Sequence, residues 1–137
     1  MGIAALVSWL LTAGGGFFML GTWIARGGTR QSSSTQLPVP VVFGHFTLAV
    51  AGLICWILYL VLDTDALAWV AFVLLIPVAL LGFAMLLRWL PTYRARSAGS
   101  AEPPEGNFPV AIVAGHGVLA VLTVVLVLLT ALGVGTS

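Results

Sequence analysis

Four long runs of apolar residues leave this chain very few folds. Ile3–Ala25, Val39–Leu62, Ala66–Leu90 and Pro109–Val134 carry no charge before their last few positions. Each reaches the roughly 20 residues that a helix needs to cross the hydrocarbon core. Lipid offers the backbone no hydrogen-bond partners, so a span of this kind must satisfy its own N–H and C=O groups, as a helix does. The remainder could not coat a soluble core. The chain is 61% hydrophobic and 7% charged, with mean hydropathy +1.16 and no lysine. The expected fold is all-α and integral to the membrane: a four-transmembrane-helix up-down bundle forming a single domain over 1–137.

The few charges are unevenly placed. Arg26 and Arg30 follow the first run, and Arg88, Arg94 and Arg96 cluster at the end of the third and after it. In an up-down bundle both loops fall on one side, so the positive-inside rule puts the arginine loops in the cytoplasm and both termini outside. Abundant Ala, Gly and Arg without lysine suggest a GC-rich bacterial source, hence a multi-pass protein of the inner membrane. The first run lacks a basic n-region and is long enough to span, which speaks against a cleaved signal. Asp63-Thr64-Asp65 is a very short turn, with Asp65 placed as N-cap of the third helix. A turn this tight makes the second and third helices antiparallel neighbours, and Pro77 should kink the third.

The chain also repeats itself. Pro38–Val50, PVPVVFGHFTLAV, and Pro109–Val121, PVAIVAGHGVLAV, agree at eight of thirteen positions. Gly16–Trp23, GFFMLGTW, and Gly82–Trp89, GFAMLLRW, agree at Gly, Phe, Met, Leu and Trp. Leu, Ala and Val matches are cheap among apolar helices; Gly, His, Met, Trp and Pro in register are not. The pattern reads as two duplicated helical hairpins, 1–62 and 66–137, related by a pseudo-two-fold axis along the membrane normal. His45 and His116 are the only histidines, and they occupy one slot of the repeat. The symmetry makes them face each other across the bundle, roughly 10 Å in from the helix starts.

An ionisable side chain at that depth is a functional signal. Small residues surround the pair: Gly44 and Gly115 precede the histidines, Ala49 and Ala120 follow one turn on, and Gly16 and Gly82 sit at matching depth. The bland reading is close helix packing. The sharper one is a slot for a flat apolar ring, with His45 and His116 as axial ligands to one haem b. Arg26 and Arg88, beside the repeated tryptophans, would meet its propionates. In outline the chain resembles the small four-helix transmembrane b-type cytochromes. That resemblance rests on His45, His116, Gly16 and Gly82, and spans the whole chain as architecture. It implies a bis-histidine haem bundle serving electron transfer, haem carriage or sensing, with a redox protein or quinone as partner.

Rival readings stand beside it. Met19 and Met85 on the repeated helices could assist copper. A small transporter is compatible with parallel repeats, although no Asp or Glu lies within the spans. An accessory subunit packing on a larger membrane complex, or a homo-oligomer, is a third. The net charge of +1 says little about partners, and no nucleic-acid partner is expected. Catalysis by covalent or hydrolytic chemistry is not expected either: Ser8 and Thr12 lack an activating base, Glu102 and Glu105 read as solvated loop charge, and Cys55 is alone in mid-helix.

Overall fold

In a computed structural model the chain is described over residues 1–98 and 103–135, apart from the side chains of 97 and 98. Helix α1 spans Gly2–Ala25, α2 Val39–Leu62, α3 Asp65–Arg94 and α4 Val110–Ala131, with 3₁₀ turns at Ala95–Ala98 and Pro104–Asn107 between the last two. All four helices are long and apolar enough to cross a membrane. They form the expected up-down bundle with pseudo-two-fold packing.

The helix boundaries follow from local chemistry. Pro38 and Pro109 take equivalent N-cap positions on α2 and α4, with φ/ψ of −62/131 and −63/133. Proline suits a helix start because the missing N–H would have had no intrahelical partner there. At the other end of α2, Asp63 takes a left-handed conformation (φ 51), and its N–H bonds the Tyr59 carbonyl. The N-cap of α3 is Thr64, one residue before the expected Asp65, which instead lies in the first turn. There its charge still complements the helix dipole. Helix α3 also runs past the expected end at Leu90, through Pro91, to Arg94.

The helices pair across the repeat boundary. Helix α2 packs chiefly on α3 and α1 chiefly on α4, while contact within each repeat is lighter. The two repeats therefore hold each other together. In lipid, apolar burial gives helices little reason to associate, so close packing and interhelical hydrogen bonds must do it.

Two apolar clusters result, one towards each end of the bundle. The cluster on the side of the termini and the Asp63 turn contains Ala5, Trp9, Trp56, Tyr59, Leu75 and Val127. The cluster at the arginine end contains Trp23, Leu37, Val42, Trp89 and Phe108, flanked by Met19 and Met85. Its members come in repeat-related pairs, Trp23 with Trp89 and Leu37 with Phe108.

Candidate functional site

The two histidines meet between those clusters. Their ring centroids lie 6.3 Å apart with the planes tilted by 58°. His45 on α2 places Nδ1 2.8 Å from the Val78 carbonyl of α3, and His116 on α4 places Nδ1 2.7 Å from the Thr12 carbonyl of α1. Thr12 and Val78 are themselves repeat-related, so the pseudo-symmetry holds down to single hydrogen bonds. A carbonyl can only accept, so each Nδ1 carries the proton and donates. In the neutral ring this leaves Nε2 with the lone pair.

Neither Nε2 has a hydrogen-bond partner among the described residues. No partnerless side-chain nitrogen or oxygen there is fully buried, so each Nε2 keeps some exposed surface. The glycines explain how the rings fit. A Cβ on Gly16 would sit 3.1 Å from Cε1 of His116, and one on Gly82 would sit 3.2 Å from Cε1 of His45. Gly15 gives His116 further room, with a virtual Cβ 3.5 Å from the histidine Cβ.

The other expected residues are more peripheral. Ala49 and Ala120 are half-buried on the histidine helices. A Cβ on Gly44 would meet only Leu81, at 3.8 Å, and one on Gly115 would meet nothing within 4 Å. Arg88 is exposed and donates to the Gln36 carbonyl at 3.3 Å. Arg26 is exposed on the rim of a loop pocket.

The metal readings are corrected at this point. Among the described residues no group of three or more His, Cys, Asp or Glu side chains comes together to hold a metal ion. The histidines stand as a pair without an acid or thiol beside them. Met19 and Met85 pack into the apolar cluster at the arginine end. The expectations of a haem b cofactor, bis-histidine ligation by His45 and His116, a b-type cytochrome, electron transfer, haem carriage or sensing, and copper binding are withdrawn on that finding. The propionate role of Arg26 and Arg88 goes with them.

Two polar groups escaped the sequence reading. Glu105 is fully buried rather than solvated. Its carboxylate accepts from the Thr35 hydroxyl at 2.7 Å and the Gln36 N–H at 2.6 Å, and its carbonyl accepts from the Trp89 indole at 3.0 Å. The Trp23 indole in turn donates to Thr35 at 2.9 Å. Glu105 thus clasps the loop after α1 to the loop after α3. Glu102 lies outside the described residues. The second group is a hydroxyl cluster between α1 and α4, where Ser8 and Thr123 lie 2.8 Å apart and Thr12 lies 3.4 Å from Thr123. Residues this distant in sequence show no local pattern that would have paired them.

Comparison with protein-family models, with characterised proteins and with solved structures gives no match. The reading of the site therefore rests on its own chemistry.

Proposed function

We propose that the chain is a small membrane transporter, working without haem, in which His45 and His116 form a half-buried proton-binding site. The observation that carries this reading is the position of the pair. Two imidazoles whose Nε2 lone pairs have no hydrogen-bond partner among the described residues lie between two packed apolar clusters, one towards each face of the membrane. An accessory subunit that only packs against a partner needs no such layer, and no glycines cut around it. A proton is the cargo that fits: imidazole is a proton carrier, and among the described residues no acid groups with the pair to bind a larger cation.

Opening one cluster at a time would expose the site to one face and then the other, the usual logic of a repeat-built transporter. All five arginines lie at one end of the bundle, which makes that end cytoplasmic under the positive-inside rule. Gly16 and Gly82 hold the rings in place by leaving room for them.

Proteoliposomes with an internal pH dye and an imposed potassium diffusion potential test the reading. The wild type should acidify or alkalise the lumen faster than empty vesicles, and His45→Ala or His116→Ala should each return the rate to that of empty vesicles. Wild-type flux no faster than empty vesicles, or flux indifferent to both changes, would overturn the proposal. So would a visible absorption band that disappears with either histidine, because the pair would then be holding an iron group.

A further inference from the structure

A pocket at the arginine end has a chemistry of its own, independent of the histidines. It is an open pocket of ≈ 200 Å³ lined by Arg26, Arg30, Ser32, Ser33, Ser34 and Pro104, together with Gly27. We propose that it is a binding site for a phosphate group, presented by the headgroup of an anionic lipid or by free phosphate.

The local fold builds the pocket deliberately. Helix α1 ends at Ala25 with Arg26 as its cap, and Gly27 then turns the chain at φ +87, a left-handed conformation that favours glycine. That turn lets Arg30 fold back over Gly27, where a Cβ would come within 3.2 Å of the Arg30 Cδ. A side chain on Gly28 would collide with the Trp23 indole, so the loop is held down on the bundle. The opposite wall, Pro104, is fixed by its neighbour Glu105, which the first loop clasps through Thr35 and Gln36.

The electrostatics call for an anion. Arg26 and Arg30 share one pocket, and among the described residues neither is paired with an acid. Two arginines lining one pocket give it a positive potential that an anion would neutralise. Guanidinium matches the geometry of phosphate oxygens, and serine hydroxyls can donate to those that remain. Arg26 caps a membrane-spanning helix, which sets the pocket at headgroup depth.

Binding of two probes to the detergent-purified full chain tests this: inorganic phosphate, and short-chain phosphatidylglycerol with phosphatidylcholine of equal chain length as reference. R26Q/R30Q should weaken binding by about tenfold or more, as expected from losing two charge-assisted contacts. R94Q/R96Q removes the same charge at the same end and should leave binding nearly unchanged. Binding of phosphatidylglycerol alone, of phosphate alone, or of both supports the site and identifies the source. Binding of neither probe, or equal weakening by the two double variants, overturns it. Should R26Q/R30Q fail to fold, arginine modification by phenylglyoxal on the wild type decides. The probe should slow labelling of Arg26 and Arg30 and not of Arg94 and Arg96; equal protection of all four overturns the site.

Discussion

His45 and His116 are alike on the side that faces the axis and unlike on the side below. Each bonds a repeat-related carbonyl and rests on a repeat-related glycine. One turn further from the arginine end the likeness fails. Beneath His116, Ser8, Thr12 and Thr123 fill the α1–α4 interface with hydroxyls. The equivalent positions beneath His45 are Leu74, Val78 and Gly52, and the Trp9 ring occupies the room that Gly52 leaves, 3.1 Å from its virtual Cβ. After duplication the imidazole layer kept its geometry, while the packing below diverged into one polar and one apolar solution. A chain holds two copies of a layer so closely alike when both copies are needed together.

That contrast can be broken from the top down. Losing either imidazole should abolish proton flux, and to the same extent; a single variant retaining half the wild-type rate would mean that the histidines act separately. Next in size, Gly16→Val and Gly82→Val should each cost about 1–3 kcal/mol by overpacking the ring. Unfolding in detergent should show the two losses nearly equal, with Gly16→Val the milder because Gly15 leaves His116 more room. Gly52→Ala sharpens the apolar half: a methyl 3.1 Å from a buried indole should destabilise by about 1 kcal/mol. The smallest effect is reserved for the polar half. Thr123→Val keeps the shape and removes one hydroxyl, which should cost about 0.6 kcal/mol, the usual scale for such bonds in membranes. Both of the last two changes should leave flux intact.

Much of this architecture is legible in the sequence because lipid removes the alternatives. An apolar run of this length has one way to satisfy its backbone, so the four helices can be read from the sequence, although α3 ends four residues later and α4 three residues earlier than their runs. The repeat carries further, placing His45 opposite His116 and Gly16 and Gly82 at their depth. Symmetry says which groups face each other, however, and not what joins them. The metal reading fails there, since among the described residues the pair gathers no third ligand; the Val78 and Thr12 carbonyls that do take up the Nδ1 atoms are announced by no side-chain pattern. Glu105 is missed for a related reason. Its partners Thr35 and Gln36 belong to the other repeat's loop, and a lone glutamate among Pro, Gly and Asn looks solvated until that loop folds over it. Helix α3 outlasts its apolar run because Pro91 and the polar residues after it continue the helix to Arg94, which hydropathy does not show.

The tautomer of the two rings is the most direct check on the site. Nitrogen NMR on the full chain in lipid, labelled with ¹⁵N-histidine and recorded where both rings are neutral, distinguishes protonated from lone-pair nitrogens. Both histidines should give a protonated Nδ1 and an unprotonated Nε2, with closely similar shifts for the two rings. A protonated Nε2 in either ring would contradict the arrangement, because the nitrogen meant to take up the proton would already hold one.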